Sequence, residues 1–359
     1  MKTAMISSFP PATGAGKYAY EVFRRLDGSA VDMVYCGDLP AGLEGPNVLV
    51  AKDVPFPVYR KTLNWYFNYP KKIPAGYDVY HATNQFLARV CEFRKPSVLT
   101  VLDLVMIKTE KYAPFLTNVL QKRALKSISR AEMVVAISED TKKDIINLLG
   151  VDAGKVAVTY MGVDHVRFRP SERQACRSRL GLPAGRKIIL HVGSDEPRRN
   201  IESVIRSLYG AKKADGSVLL VKIGKFSPQS AALIKKLGLD GNVLNVERAS
   251  EADLPFYYSA ADVFLCLDME TGFGMPSLEA MACGTAVVCS NSGAFPEVVG
   301  KGGVLINPTD VGGTASALAR ILSDEKLRKG FSEAAVKQAE RFSWEKCAKE
   351  TMKIYEDIA

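Results

Sequence analysis

Residues 268–284, DMETGFGMPSLEAMACG, place two glutamates, Glu270 and Glu279, on either side of a turn made of Thr271, Gly272, Phe273 and Gly274. The apolar run VFLCLD before the turn reads as a strand, and SLEAMA after it as a helix. Pro276 at the mouth of that helix costs no hydrogen bond, because the N–H it lacks has no partner there. The N–H groups around Gly274, Met275, Ser277 and Leu278 then sit at the positive end of the helix, where anions bind. Glu279, one turn in, is placed to accept hydrogen bonds from hydroxyl groups. The blander reading is that it only complements the helix dipole. A ligand carrying phosphates and sugar hydroxyls suits the whole arrangement.

A second glycine-bearing loop, SSFPPATGAGKYAYEV at 7–22, has the outline of a nucleotide-triphosphatase phosphate loop. It lacks the parts. Pro11 stands where that loop needs a glycine, and Tyr18 stands where it needs a small hydroxyl residue for magnesium. What remains is a strand candidate, TAMIS, a turn containing Gly14 and Gly16, and a helix whose Tyr18, Val22 and Leu26 share a face. Strand, turn and helix start can form an anion site. A tight turn that merely needs small residues reads equally well.

The elements that must hold these turns are legible. Strand-like runs occur at VDMVYC, VLVAK, DVYHA, SVLTVLD, MVVAIS and VAVTY, then at IILHVGS, VLLVKIG, VLNV, VFLCLD, TAVVCS and GVLINP. Helix-length segments fill the gaps, NIESVIRSLYGAKK and PSLEAMAC among them. This alternation is that of α/β architecture with parallel sheets. An Arg-, Pro- and Gly-rich break at 161–187 divides the series into two successive doubly wound domains, and a last amphipathic helix, SWEKCAKETMKIYEDI, closes the chain. Ligands bind such sheets beyond the carboxyl ends of the strands. A cleft between two such domains is therefore expected to hold the chemistry.

Composition narrows the classes. At 359 residues the chain is long enough for two cores, and hydrophobic residues at 47% describe an ordinary globular protein. There is no apolar run of membrane-spanning length, and the start lacks a secretory h-region. Seven scattered cysteines without a C-x-x-C pair fit reduced thiols in the cytoplasm, and three distant histidines, His81, His165 and His191, argue against a histidine metal site. The net charge of +9 asks for an anionic partner: a substrate, nucleic acid or an acidic membrane surface.

The 268–300 stretch resembles the E-x7-E region of the retaining glycosyltransferases of family 4, EGFGLPxLEAMACGxPV. HVGSDEPRRNIESVI at 191–205 resembles that family's donor-phosphate loop, VGtxEPRKN. MVVAISEDTKKDI with VTYMGVDHVRFRP resembles the end of its first domain, GAGKYAYEV its N-terminal glycine loop, and FSWEKCAKETMKIYEDI its closing helix. The likeness covers nearly the whole chain in order. It implies the GT-B fold, with two Rossmann-like domains facing a central cleft. The expected boundaries are 1–165 for the acceptor side, 166–340 for the donor side, and 341–359 for a helix returning to the first domain.

By that resemblance Arg199 pairs with the donor pyrophosphate, where a forked cation offsets charge building on the leaving nucleotide. Arg198 is the weaker candidate beside it. Gly193 and Ser194 form the small turn before it, and Lys225 is a further phosphate or base contact. Val246 to Ala249 line the base pocket. Glu279 binds the ribose, and Gly14 and Gly16 lie where the first domain's backbone nears phosphate and acceptor. The family's spacing puts Thr271 in the place of the first glutamate, with Glu270 one residue earlier, so either could meet the sugar. Where the family often has TxHDL, this chain has TVLDL: Leu102 replaces the histidine and Asp103 is kept. His81, in DVYHATNQ, matches another polar cleft position, and a satisfied strand-end histidine reads as well there.

The expected function is a retaining hexosyltransferase, mannose or glucose favoured, acting from a UDP- or GDP-linked sugar onto a carbohydrate or lipid-linked acceptor. No D-x-D occurs, which favours metal-independent transfer with no cofactor beyond the donor itself. The segment YRKTLNWYFNYPKK at 59–72 interleaves Arg60, Lys61, Lys71 and Lys72 with aromatics, and Lys122, Lys126 and Arg130 share one predicted helix face. Such residues suit an anionic membrane surface on the inner face, preferred here to nucleic acid, or simply a solvated helix and loop. The alternatives are a nucleotide-sugar epimerase and a non-catalytic nucleotide-sugar-binding subunit.

Overall fold

Seven of the apolar runs form one parallel sheet: Thr3–Ser7 (β1), Val31–Cys36 (β2), Val48–Ala51 (β3), Val79–Ala82 (β4), Ser97–Val101 (β5), Met133–Ala136 (β6) and Val156–Val158 (β7). Their spatial order is β3-β2-β1-β4-β5-β6-β7. Six more form a second parallel sheet: Lys187–Val192 (β8), Val218–Ile223 (β9), Val243–Val246 (β10), Val263–Cys266 (β11), Ala286–Ser290 (β12) and Val304–Ile306 (β13). Its order is β10-β9-β8-β11-β12-β13. The computed structural model describes residues 1–109 and 114–359. Its two compact units are Met1–Gly162 with Trp344–Ala359, and Val163–Ser343.

Each sheet is doubly wound, so each has a switch point where the strand order reverses, between β1 and β4 in the first unit and between β8 and β11 in the second. Central strands are buried on both faces, as parallel strands covered by helices must be. β1, β5, β9 and β11 carry no exposed residue. Two predicted strands stop short. SVLTVLD ends at Val101 and VFLCLD at Cys266, so Leu102, Asp103 and Asp268 lie past the sheet, where ligands bind.

The first helix begins earlier than its apolar spacing predicts, at Gly14 rather than Lys17. The reason is its cap: Thr13 Oγ1 accepts from Gly16 N–H at 3.1 Å, and Thr13 O accepts from Lys17 N–H at 2.7 Å. Gly14 and Gly16 are therefore helical. A Cβ on Gly16 would overlap the Pro10 carbonyl, so the close approach itself demands glycine.

The closing helix, Trp344–Ile358, buries Trp344, Cys347, Ala348, Thr351, Ile354 and Tyr355, the stripe its periodicity predicts. Ile354 and Tyr355 pack on Val79, Val98 and Val135 of the first sheet. Each such side chain removed from water contributes about 1.5–3 kcal/mol. Lys122 belongs to the helix Phe115–Leu125, whereas Lys126 and Arg130 fall in a following 3₁₀ turn, so the predicted single helix face is broken, though all three remain exposed. All seven cysteines are buried and unpaired. Among the described residues no helix is long and apolar enough to cross a membrane.

Candidate functional site

In the second unit β8 and β11 run side by side and end at Val192 and Cys266. The chain leaving β8 makes a 3₁₀ turn, Pro197–Arg199, and the chain leaving β11 carries Asp268 and Glu270. Across this switch point the Arg199 guanidinium forms an ion pair with Asp268 through Nη1. The Asp268 side chain is wholly enclosed, while that of Arg199 keeps 17% of its surface. Met269 N–H donates to Arg198 O at 2.7 Å, and the hydroxyls of Ser290 and Ser292 donate to Asp268 O at 2.6 and 2.9 Å. Arg199 is thus no mobile loop charge. Its fork is held before any ligand arrives, which is what electrostatic stabilisation of a developing anion requires.

The neighbouring candidates divide. Arg198 Nε pairs with Glu196 at 3.0 Å, and Glu196 also accepts from Ser194 Oγ at 2.9 Å. Burial pushes the Glu196 carboxyl up, but Ser194 and Arg198 outweigh it and hold it low. Lys225 is mostly exposed, 3.5 Å from Glu247, so its ammonium lies in solvent rather than in a pocket. Gly224 N–H donates to Val246 O at 2.9 Å, which places Val246 beside the end of β9 through its backbone.

Two residues at this switch point escaped the sequence reading. Lys222 is 1% exposed inside β9, and its ammonium donates to Gly193 O and to Lys225 O, both at 3.0 Å. Burial lowers its pKa to about 8. His191, fully buried in β8, hydrogen-bonds Leu265 O through Nδ1 at 2.9 Å. Burial lowers its pKa to about 4. The signal for both was a lone basic residue within an apolar run of a central strand.

The turn after β11 leads into the helix Met275–Ala282. Gly274 has φ +89°, and a Cβ there would come 2.6 Å from Phe295 Cε1, so the position accepts only glycine. Ser277 and Leu278 N–H both turn back to Gly274 O, at 3.0 and 3.2 Å. The expected run of outward N–H groups is therefore shorter, confined to the residues before Pro276. Phe273 packs edge-on against Phe342 with ring centroids 5.8 Å apart, and Ser277 and Leu278 are fully buried. These three side chains build the floor of the turn, so their side chains are taken up by packing. Glu279 is 4% exposed, and its Oε2 accepts from the buried Tyr258 hydroxyl at 2.9 Å. Thr271 is buried with its carbonyl accepting from Ala294 N–H at 3.2 Å, whereas Glu270 is half-buried. Gly272, Met275 and Pro276 are half-buried at the rim.

In the first unit Gly14 and Ala15 open the capped helix after β1. Asp103 Oδ1 accepts from Val105 N–H at 3.3 Å, and the buried Leu102 gives its N–H to Gln85 Oε1 at 3.2 Å. His81 departs from the expected site role. It is fully buried, its Nδ1 lies 2.6 Å from Tyr355 Oη and its Nε2 2.7 Å from Thr100 Oγ1. Burial drives its pKa down to about 3. Both ring nitrogens are engaged in the core, so His81 is the satisfied histidine and offers nothing to a ligand.

Residues 12–167 match the family described as Glycosyltransferase Family 4, and residues 172–338 match Glycosyl transferases group 1. The chain belongs to these group 1, family 4 glycosyltransferases, and its two Rossmann-like units are those of the GT-B fold. An O-antigen chain mannosyltransferase B of Escherichia coli is 28% identical over 77% of this chain and 74% of its own length. A D-inositol 3-phosphate glycosyltransferase of Nocardioides is 32% identical over 64% of this chain, which spans 54% of that relative's length. A sucrose-phosphate synthase from Thermosynechococcus elongatus shares the fold with a TM-score of 0.80, at 22% identity, over 99% of this chain and 98% of its own. HepE of Anabaena, solved with UDP and glucose, gives 0.79 at 19% identity over 99% and 100%.

Proposed function

We propose that this protein moves a hexosyl group, mannose or glucose, from a UDP- or GDP-linked donor to a carbohydrate or lipid-linked acceptor, with retention and without a metal ion. The observation that carries the reading is the buried Arg199–Asp268 pair at the switch point of the second unit. Asp268 orients the guanidinium, and the guanidinium offsets the charge that grows on the departing diphosphate. Glu279, held by Tyr258, accepts from the ribose hydroxyls. Glu270 or Thr271 meets the transferred sugar. Arg199 and the helix mouth at Gly274 and Met275 supply the positive potential that a metal ion supplies elsewhere. The mannosyltransferase relative supports mannose, and the UDP- and glucose-bound neighbour keeps glucose beside it.

Asp103 and the loops after β1, β4 and β5 serve the acceptor in this reading. Arg60, Lys61, Lys71 and Lys72 are exposed alongside Phe67, which fits an acceptor presented at an anionic membrane surface. Binding to vesicles containing acidic lipid, and none to neutral vesicles, is the expected result.

A second reading, a nucleotide-sugar binder without turnover, is favoured by one observation: Leu102 and the enclosed His81 leave the first unit without an accessible imidazole. One experiment separates the readings. UDP, GDP and ADP and their hexose conjugates are tested by thermal shift in EDTA, alongside Arg199→Ala and Arg199→Lys, followed by sugar-release assays. A ligand at a hundred times its Kd adds about 2.7 kcal/mol of stability. Stabilisation lost in Arg199→Ala and largely kept in Arg199→Lys, with release of sugar, supports transfer. Stabilisation without release under any acceptor supports the binder, and no stabilisation removes both.

A further inference from the structure

His191 and Arg199 hold two buried polar atoms with no hydrogen-bond partner among the described residues, His191 Nε2 and Arg199 Nε. They share a neighbourhood. A Cβ built on Gly193 would stand 3.5 Å from His191 Nε2 and 3.7 Å from Arg199 Nε. Both atoms thus lie within van der Waals reach of the same backbone position.

Their chemistry is complementary. Leu265 O can only accept, so His191 Nδ1, 2.9 Å away, must carry the proton. The ring is neutral: burial, with the charges of Lys222 and Arg199, outweighs the Leu265 bond and Asp268. Nε2 is then a bare acceptor, and Arg199 Nε–H is a bare donor. Leaving either buried and unpaired is costly. Asp268 already occupies Nη1, so a bond at Nε would fix the guanidinium at two of its three nitrogens.

We infer that His191 is a positioning residue for Arg199: its neutral imidazole, unpaired at Nε2 among the described residues, takes the Arg199 Nε–H when nucleotide binds and turns the remaining guanidinium N–H groups toward the ligand diphosphate. The inference rests on the proposed donor role of Arg199. Lys222 supports the same turn from below, through Gly193 O.

The test is a double-variant cycle on the full chain, read by calorimetric titration with UDP and GDP. His191→Asn keeps a donor for Leu265 O but removes the distal acceptor. His191→Gln places an acceptor near the Nε2 position. Arg199→Lys keeps a charge for Asp268 but has no Nε–H. The expected result is a loss of about tenfold in nucleotide affinity for His191→Asn, substantially recovered in His191→Gln. In the Arg199→Lys background His191→Asn should then change affinity less than twofold.

An equal loss from His191→Asn in both backgrounds would mean a packing role and overturn the inference, as would no loss at all. If Arg199→Ala leaves nucleotide affinity untouched, the donor reading fails first and takes this inference with it. A readout free of substitution is the nitrogen-15 spectrum of His191. The proton on Nδ1 at neutral pH, with Nε2 shifting when nucleotide binds, is expected; a proton on Nε2 contradicts the inference.

Discussion

The two switch points share a topology and differ in what they bury. Beside that of the first unit lies a neutral network: Tyr18 Oη and His81 Nε2 meet Thr100 Oγ1 at 3.0 and 2.7 Å, and Tyr355 Oη meets His81 Nδ1. The described polar groups there are satisfied and shut away from solvent. At that of the second unit three charged groups and a neutral imidazole meet, incompletely paired, and the Arg199 side chain keeps 17% of its surface: Arg199 on Asp268, Lys222 on Gly193 O, His191 with one free nitrogen. A satisfied network rigidifies a core, whereas a held cation with donors to spare is built to receive something. In the proposed reading the same winding serves packing in one unit and anion binding in the other, and function has to be argued from the site.

The comparison breaks most sharply at Arg199. Arg199→Ala should lower turnover by about 10²–10³-fold, as loss of a transition-state anion donor does. It also leaves Asp268 buried alone, at a cost of about 3–5 kcal/mol. Chemical denaturation should show that cost relieved in Arg199→Met/Asp268→Leu, while turnover stays lost. The neutral network should behave in the opposite way. His81→Phe should destabilise the fold by about 2 kcal/mol, through two lost buried bonds, with nucleotide affinity within twofold of wild type.

Acid should press on both switch points, through His81 in the first and through His191, whose pKa also falls, in the second. The His81 pKa falls from 6.5 to about 3 because burial disfavours the imidazolium. The unfolded chain takes up that proton below about 6.5 and the folded unit refuses it. Its contribution to stability is therefore complete above pH 6.5 and lost as pH falls toward 3, by up to about 1.4 kcal/mol per pH unit. Denaturation at pH 7 and pH 5 should show a smaller loss in His81→Phe than in wild type.

Smaller effects sharpen the second unit. Tyr258→Phe unseats Glu279 and should weaken nucleotide binding by about tenfold in the same titrations. Lys225→Ala, at an exposed ammonium, should change affinity less than twofold, whereas Lys222→Met should weaken it severalfold.

Much of this was legible from the residues. The thirteen strands among the described residues follow from apolar runs, and the turn after β11 from its glycines and proline. Glu279 was singled out by its place one turn into the helix, and Arg199 by the resemblance of its loop to the family's. What escaped depended on partners distant in sequence. Asp268 looked like the last residue of a strand, and only the pairing of β11 with β8 brings it to Arg199. Lys222 and His191 sit where strand periodicity predicts apolar side chains, so the pattern absorbed them. His81 read equally well as a cleft residue or a satisfied strand-end histidine, and only the packing of the closing helix, with Tyr355 on its Nδ1, decides for the second. The direction of the Ser277 and Leu278 N–H groups depended on Gly274 φ, which sequence does not display.

The most direct measurement is a crystal structure of the full chain soaked with UDP or GDP. The account requires a diphosphate oxygen about 2.7–3.2 Å from the Arg199 guanidinium, with Asp268 still paired to it and a ribose hydroxyl on Glu279. A nucleotide bound away from the ends of β8 and β11, or a diphosphate resting on Lys225 with Arg199 untouched, would contradict it.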